Sequence, residues 1–292
     1  MLSLPHLMQC RVELSQIDPT LGNLDANLAM HVAQARSAMQ RGAQLVLFPE
    51  LSLTGYFLRD QTPEVALRVE DARLQPLREL SREVTLGFGF VERGSDERLY
   101  NSYALFEDGR VIGIHRKVHL VTYGMFDDAR DFAPGEDFRI VESRHGRLGI
   151  LICEDMWHFS AAWLHFLAEA DAIIVPSASP GRGIRAGGEE GLHSARVWNR
   201  LQDAMALLFQ TWILYVNRAG SEDGLIFSGG SRVVDPFGEE TARLPLLETG
   251  SLSCQVDSET LRRARVATPL RRDEKPQLVA AEIARICGQR GP

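Results

Sequence analysis

The chain has 292 residues, a formal net charge of -7 at pH 7 and four widely spaced cysteines. This length allows one large α/β domain with a sizeable core, and the acidic balance argues against a general binder of nucleic acid. The cysteines include no C-x-x-C pair and are too sparse for a disulfide framework, so a reducing cytoplasm fits best. Residues 1–12 have no cationic segment before an apolar one, and no apolar run is long enough to cross a bilayer. We therefore expect neither export nor membrane insertion.

Short apolar runs alternate with helical patterns along the chain, which is typical of an α/β protein. The first half predicts a helix over 21–40, a strand over 44–48, a helix over 74–83 and strands over 85–91, 100–106 and 110–118. The dipeptide Asp108-Gly109 joins the last two strands in a tight turn, so this sheet contains an antiparallel hairpin and is mixed. Residues 119–135 have no clean period and are interpreted as a long ordered loop, a type that is usually functional.

The second half continues the alternation. It predicts strands over 147–152, 172–175, 212–217, 231–234 and 251–256, helices over 158–169 and 189–209, and a loop of glycine and arginine over 177–188. No linker or charge block divides the chain, so we predict a single domain over 1–292, in which 257–292 is a polar C-terminal extension.

Reactive groups in α/β sheets lie beyond the carboxyl ends of strands, and three polar residues occupy such positions. Cys153 follows an apolar strand on a strand-to-helix turn, which exposes a nucleophile and offers backbone N–H groups to an oxyanion. A lone cysteine is more often a buried structural residue, but burying the adjacent carboxylates of Glu154 and Asp155 in an apolar interior would be energetically costly. These carboxylates also tend to raise the pKa of the thiol, so a nearby cation is needed to keep the thiolate accessible.

Lys117, at the end of the strand over 110–118, is the candidate cation, and it would also neutralise a tetrahedral oxyanion. Glu50 follows the strand over 44–48 and its terminator Pro49. Either residue alone is more commonly a solvated surface group. Amide hydrolysis, however, needs a group that takes the thiol proton, gives it to departing ammonia and then activates water, and a half-buried glutamate can do all three.

In their order along the chain, these segments resemble the nitrilase superfamily: a glutamate after a strand, a lysine in an Arg-Lys-x-His-Leu stretch, and a cysteine after another strand. The resemblance continues in Phe-Ala-Pro-Gly at 132–135, Tyr-Val-Asn-Arg-Ala-Gly at 215–220 and Phe-Ser-Gly-Gly-Ser at 227–231. Within that superfamily the chain is most similar to the glutaminase domain of glutamine-dependent NAD synthetases, notably at 123–128 and 153–157.

The resemblance implies an α/β fold, a four-layer αββα sandwich with two mixed β-sheets, that forms a homodimer or higher homo-oligomer. It also implies amidase chemistry without metal or cofactor, in which Cys153 forms a thioester, Glu50 is the acid/base and Lys117 is the electrostatic partner. Asp128 stands where many members carry a second glutamate, and this shorter carboxylate is expected to position substrate less closely. We expect no synthetase half, because no Ser-Gly-Gly-x-Asp-Ser pyrophosphate loop is present.

The substrate is expected to be a small amide. Its pocket is predicted to be walled by aromatic side chains and one loop: Tyr56, Tyr123, Phe126, Trp157 and the loop from Ser177 to Arg185. The backbone N–H of Glu154 is expected to help Lys117 hold the oxyanion. Arg182 or Arg185 is the candidate for binding a substrate carboxylate, although an arginine in a glycine-rich loop is more often solvated.

Signals for other chemistries are missing from the sequence: it has no G-x-S-x-G, no H-E-x-x-H and no G-x-G-x-x-G after a strand. His115 and His119 have helical ligand spacing but lie on a predicted strand, so we expect packing or supporting roles and no metal. Three alternatives stay open: a nitrilase or an N-carbamoyl amidohydrolase using the same triad, and a non-catalytic partner of a separate synthetase.

Overall fold

The computed structural model describes residues 9–183 and 191–289. The strands are β1 (Gln9–Gln16), β2 (Leu45–Leu47), β3 (Thr85–Arg93), β4 (Leu99–Glu107), β5 (Arg110–Arg116), β6 (Val141–Ser143), β7 (Gly146–Ile150), β8 (Ala172–Ser177), β9 (Trp212–Asn217), β10 (Ser221–Glu222), β11 (Leu225–Ile226), β12 (Arg232–Val234), β13 (Glu240–Arg243) and β14 (Gly250–Asp257). The α-helices are α1 (Leu24–Gln40), α2 (Thr62–Val65), α3 (Gln75–Leu80), α4 (Asp128–Asp131), α5 (Phe159–Leu167), α6 (His193–Phe209), α7 (Ser258–Ala267), α8 (Leu270–Asp273) and α9 (Pro276–Gln289).

Two mixed six-stranded sheets form the centre of the molecule. The first has the order β14-β1-β2-β3-β4-β5 and the second β13-β12-β9-β8-β7-β6. In each sheet three central strands are parallel, β1 to β3 in one and β7 to β9 in the other, and the outer strands are antiparallel. Parallel neighbours require crossover connections, which α1, α3, α5 and α6 provide. The predicted fold class is confirmed.

Successive residues of a strand point to opposite faces of the sheet, so one strand packs against two different layers. Leu45 and Leu47 of β2 pack between the sheets, whereas Val46 packs against α1 and α3. In the second sheet Ile174 of β8 faces the first sheet, whereas Ile173 packs against α5 and α6. The result is four layers in the order α-β-β-α. Burial on both faces explains why these strands are continuous apolar runs.

Several elements differ from the sequence-based predictions. β1 is absent from them, although Cys10, Val12 and Leu14 alternate with polar residues as in a half-buried strand. The loop over 119–135 contains the short helix α4, and the polar C-terminal extension is largely helical, in α7, α8 and α9. Helix α6 begins at His193, later than predicted, and residues 189 and 190 of the prediction lie outside the described residues.

In the part of the chain that the structure describes, no helix combines the length and apolar character needed to cross a membrane.

Candidate active site

The three strand-end residues lie at one edge of the stacked sheets. Glu50 and Lys117 follow β2 and β5 of the first sheet, and Cys153 follows β7 of the second. The carboxyl ends of β2 and β5 point to the same edge, because β2, β3 and β5 run in the same direction within their sheet. In the second sheet β8 is parallel to β7, and the Ala178 N–H just after β8 donates to Glu50, so the ends of β7 and β8 lie at that edge too. The loops after the strands meet there, which brings together residues that are far apart in sequence.

A buried ion cluster occupies this edge. Lys117 Nζ donates to Glu50 Oε1 at 2.9 Å and to Asp128 Oδ2 at 2.7 Å. The three residues are 1%, 1% and 4% exposed, respectively. Burial alone would lower the pKa of Lys117, but Asp128 and Glu50 outweigh it and hold this pKa well above its usual value. The lysine is therefore an ammonium ion flanked by two carboxylates.

Glu50 is held by donors on both of its oxygens. Oε1 also accepts from Asn101 Nδ2 at 2.8 Å, and Oε2 accepts from the Ala178 backbone N–H at 2.8 Å. Burial raises the pKa of Glu50 above its usual 4.5, and Asp128 adds to this effect while Lys117 opposes it. The result is a fixed carboxylate that is a stronger base than an exposed glutamate.

A glycine on β3 makes room for the backbone that carries Glu50. A Cβ at Gly89 would lie 2.3 Å from Leu51 N and 2.7 Å from Pro49 O, so only glycine allows this close approach. The Gly89 carbonyl also accepts from the Leu53 N–H at 3.0 Å. The position of Glu50 is therefore fixed by backbone packing as well as by its side-chain hydrogen bonds.

Cys153 begins a turn of 3-10 helix, Cys153–Trp157, and has a left-handed backbone with φ of 45°. This conformation is costly for a residue with a side chain, and such strain is common at functional sites. Burial raises the pKa of the thiol well above 9.0; Glu50 adds to this, and Lys117 opposes it. The expected cation is thus present, but it does not hold the resting sulfur as a thiolate. Cys153 needs a base at the moment of attack.

Asp128 contacts the lysine and does not itself line the cavity beside Cys153, so any effect it has on substrate acts through the ion cluster. Its Oδ1 accepts from the Tyr56 hydroxyl at 2.6 Å, and its Oδ2 accepts from Lys117 and from the Val121 N–H at 3.2 Å. Both oxygens are therefore used by protein donors. Asp128 is the first residue of α4, and its own backbone N–H donates to the Val121 carbonyl at 2.8 Å.

A cavity of about 460 Å³ opens beside Cys153. Most of the predicted wall residues line it: Tyr56, Tyr123, Phe126, Glu154, Trp157 and Arg182. Ser177, by contrast, is fully buried at the end of β8 and does not line the cavity, because it still pairs with Asn217 inside the sheet. Ser179, two residues further on, takes its place. The other candidate arginine, Arg185, lies outside the described residues.

Two residues of opposite charge, Glu154 and Arg182, line the mouth of the cavity. Glu154 is held by the Tyr123 hydroxyl, which donates to its two carboxylate oxygens at 2.9 and 3.0 Å. Arg182 is exposed and packs beside Gly124. Trp157 meets Trp198 edge to face with 5.4 Å between ring centroids, and both rings line the cavity.

The sequence-based predictions missed several residues that support the site. Asn101 lies on β4 and holds Glu50, and the only signal was a polar residue inside a buried strand. Arg218 pairs with Glu222, whose carboxylate accepts from the Tyr56 N–H at 2.9 Å and the Phe57 N–H at 3.1 Å. This pair fixes the loop that presents Tyr56 to the cavity.

His115 and His119 both contact Asp155, at 2.9 Å through Nε2 and 3.0 Å through Nδ1, respectively. They therefore support the turn after Cys153. Within residues 9–183 and 191–289, no group of three or more His, Cys, Asp or Glu side chains is arranged to hold a metal ion.

Comparison with known proteins places the chain in a family. The family model for carbon-nitrogen hydrolases matches residues 11–266. The glutamine-dependent NAD(+) synthetase of Thermotoga maritima is 33% identical over 287 residues, which cover 93% of this chain and 46% of that protein. The solved structure of the glutamine-dependent NAD+ synthetase from Acinetobacter baumannii, in complex with ADP, is 30% identical with a TM-score of 0.76 and covers 87% of this chain and 46% of that one.

A mutant of the amidase from Nesterenkonia sp. AN1 is 26% identical with a TM-score of 0.77, and covers 95% of this chain and 97% of that one. Its structure is described as showing covalent addition of the acetamide moiety of fluoroacetamide at the active-site cysteine. The chain spans about half the length of the NAD synthetases and nearly the full length of the amidase. The family match covers most of the chain, and the chain belongs to the carbon-nitrogen hydrolase family.

Proposed function

We propose that the protein hydrolyses the carbon–nitrogen bond of a small primary amide and releases ammonia through a thioester on Cys153. The observation that supports this most directly is the buried contact of Lys117 Nζ with Glu50 Oε1 at 2.9 Å, close enough to Cys153 that both charges act on the pKa of its thiol. A base and a cation beside a nucleophile that lines a cavity meet the requirements of acyl transfer.

In the first half-reaction, Cys153 attacks the amide carbonyl as its proton moves to Glu50. The raised pKa of Glu50 favours this transfer, and the raised pKa of Cys153 means that the proton has to be removed by a base. A carbon–sulfur bond forms, and the carbonyl electron pair moves to oxygen. When the tetrahedral intermediate collapses, the carbon–nitrogen bond breaks and Glu50 returns the proton to nitrogen, so that ammonia leaves.

The negative oxygen of the intermediate needs positive partners that are already in place. Lys117 is held between Glu50 and Asp128, so its ammonium does not have to reorganise during the reaction. The Glu154 N–H, in the turn that begins at Cys153, is the second donor in this proposal. Because Asp128 neutralises part of the lysine charge, Glu50 retains its basicity.

The second half-reaction hydrolyses the thioester. Glu50 takes a proton from water, whose oxygen attacks the acyl carbon, and the carbon–sulfur bond breaks. The proton then passes from Glu50 to the departing sulfur, which restores the neutral thiol. The sum is one amide and one water converted to one carboxylic acid and one ammonia, and no metal or cofactor enters the sum.

The charges at the cavity mouth support a glutaminase-like choice of substrate. A free amino acid with a side-chain amide, such as glutamine, carries an α-ammonium and an α-carboxylate, which match Glu154 and Arg182, respectively. A cavity of about 460 Å³ is of the size that accepts small molecules. The similarity to glutamine-dependent synthetases favours the same choice.

An ammonia-release assay over a panel of substrates tests the proposal. The panel contains glutamine, uncharged primary amides, N-carbamoyl amino acids and nitriles, and Cys153→Ala is measured beside the wild-type protein. We expect release from amides, with glutamine among the best, and none from the variant. Release from nitriles or carbamoyl compounds alone would replace the amidase with one of the alternatives.

Alkylation with iodoacetamide separates an enzyme from a non-catalytic partner. Since the resting thiol of Cys153 is neutral, its fast labelling has to depend on Glu50. We expect Cys153 to label faster than Cys10, Cys254 and Cys287, and Glu50→Gln to remove only this advantage. Equal labelling of all four in the wild-type protein favours the non-catalytic partner.

A further inference from the structure

A carboxylate that the proposed chemistry does not use lies two residues after the nucleophile. Asp155 is fully buried. Its Oδ1 accepts from the backbone N–H groups of Val118 at 3.2 Å and His119 at 2.8 Å, and from His119 Nδ1 at 3.0 Å. Its Oδ2 accepts from the Ile152 N–H at 3.1 Å and from His115 Nε2 at 2.9 Å. Five donors thus converge on one side chain.

The donors come from the two halves of the site. Ile152 directly precedes Cys153 on the second sheet, whereas Val118 and His119 directly follow Lys117 on the first. Oδ1 holds the segment after Lys117, and Oδ2 holds the cysteine turn while also accepting from His115 on β5, the strand that leads to Lys117. Asp155 therefore fixes the distance between two backbone segments that are far apart along the chain.

The bridge requires an ionised carboxylate. Backbone N–H groups can only donate, and an ionised carboxylate only accepts, so each imidazole presents an N–H to Asp155. Burial alone would raise the pKa of Asp155, but the hydrogen bonds from His115 and His119 outweigh it and lower this pKa below its usual range. The carboxylate is therefore charged at any pH at which the enzyme is assayed.

The same side chain closes the strained turn. Cys153 has a φ of 45°, and a turn with this backbone persists only when its surroundings hold it. The bond from the Ile152 N–H to Asp155 spans Cys153, as a side chain at the third helical position does when it caps a helix. Loss of this bond releases the nucleophile and not the base.

We propose that Asp155 is a positioning residue that sets Cys153 against Lys117 and Glu50. The inference rests on the proposed function, since it assigns Asp155 a role in the same reaction. Asp155 does not line the cavity, and it acts through the backbone on either side. Its effect falls on the rate of the chemical step and not on substrate binding.

Asp155→Asn gives a sharp test because it keeps the shape of the side chain. Asparagine has a single acceptor oxygen, so its NH2 group must face N–H donors on one side of the bridge. A neutral His115 can turn its acceptor nitrogen to that group, but the Ile152 N–H cannot. We expect kcat on a primary amide to fall by about 100-fold with little change in KM, as for a small displacement of reacting groups. We also expect slower alkylation of Cys153.

Asp171→Asn is the matched control. Asp171 is also a buried carboxylate that accepts from a backbone N–H, that of Arg147 at 2.9 Å, and it pairs with Arg265. It lies just before β8, at the opposite edge of the sheet from Cys153. We expect a loss of stability in this variant with kcat unchanged. Equal losses of kcat in folded Asp155→Asn and Asp171→Asn protein would overturn the proposal.

Two substitutions of His119, which disturb the fold less, test the proposal if Asp155→Asn does not fold. His119→Ala removes one donor to Asp155, and His119→Asn restores an N–H at the same distance along the side chain. We expect kcat to fall in the first variant and to recover in part in the second, with KM constant. Equal kcat in His119→Ala and the wild-type protein contradicts the bridge. If the wild-type protein hydrolyses no amide, the proposed function fails, and the alkylation rates of Cys153 still test the role of Asp155.

Discussion

The buried ion cluster and the mouth of the cavity are built in opposite ways. In the cluster, Glu50 and Lys117 are almost fully buried after their strands, and their charged groups are paired or hydrogen-bonded. At the mouth, Tyr123 is 61% exposed and Trp157 is 43% exposed, and both lie on loops or short turns. Under the proposed function this difference separates two tasks: rigid, buried groups would cleave the bond, and exposed side chains would select the substrate.

Substitutions of the proposed nucleophile and its base should have the largest effects. We expect Cys153→Ala and Glu50→Gln each to reduce kcat by about 10⁴-fold or more, since the nucleophile and its base act as a unit. The measurement is ammonia release in single-turnover and steady-state assays. Cys254→Ala, at a partly exposed cysteine on β14, is the matched control and should keep full activity.

Lys117→Met should lower stability as well as activity. It leaves the buried carboxylates of Glu50 and Asp128 without their shared cation, and loss of one partner from a buried ion pair costs about 3–5 kcal/mol. Chemical denaturation of the wild-type and variant proteins measures this difference. A variant that loses activity but keeps the wild-type free energy of unfolding would show that the cluster is less desolvated than its geometry indicates.

The pH dependence of kcat/KM sharpens the contrast between the two regions. Glu50 has to be ionised to accept the thiol proton, and burial raises its pKa, so activity should fall on acidification at a higher pH than an ordinary glutamate would give. The charge of Asp128 contributes to this raised pKa. Asp128→Asn should therefore move the acid limb to lower pH, and a shift in the opposite direction contradicts the assignment. Arg182→Gln, at the mouth, should leave the limb in place.

The smallest effect is expected from Arg182→Gln. An exposed ion pair contributes up to about 1 kcal/mol, so KM for glutamine should rise roughly five-fold while kcat is kept. KM for an uncharged amide should not change. The matched control is Arg139→Gln, at an exposed arginine that pairs with Asp137 away from the cavity. An equal rise in KM for both substrates would remove the role of Arg182 in binding a carboxylate.

The parts of the fold that follow from local pattern were predictable. Apolar runs of strand length, helical periods and the Asp108-Gly109 turn indicate the alternating elements and the mixed sheet, and strand ends mark the positions of Glu50, Lys117 and Cys153. Strand β1 could have been predicted in the same way, since Cys10, Val12 and Leu14 alternate with polar residues. The homo-oligomer stays a prediction.

The partners of several site residues could not be predicted from local sequence, because they are set by tertiary contacts. The sequence did not show that Asp128 pairs with Lys117; the aperiodic loop over 119–135 brings it there, and both of its oxygens accept from protein donors. Ser177 was expected in the pocket wall, yet strand pairing with Asn217 keeps it inside the sheet. Asn101 and Asp155 are polar residues in buried surroundings, and a sequence shows that such a residue needs a partner without showing which partner it has.

Rapid acid quench during turnover of a primary amide, followed by peptide mass spectrometry, tests most directly whether the three groups act together. The wild-type protein should carry the acyl group on the peptide that contains Cys153, and Glu50→Gln should carry none. An acyl group on any other residue, or undiminished turnover by Cys153→Ala, would contradict a thioester that forms on Cys153 with Glu50 as the base.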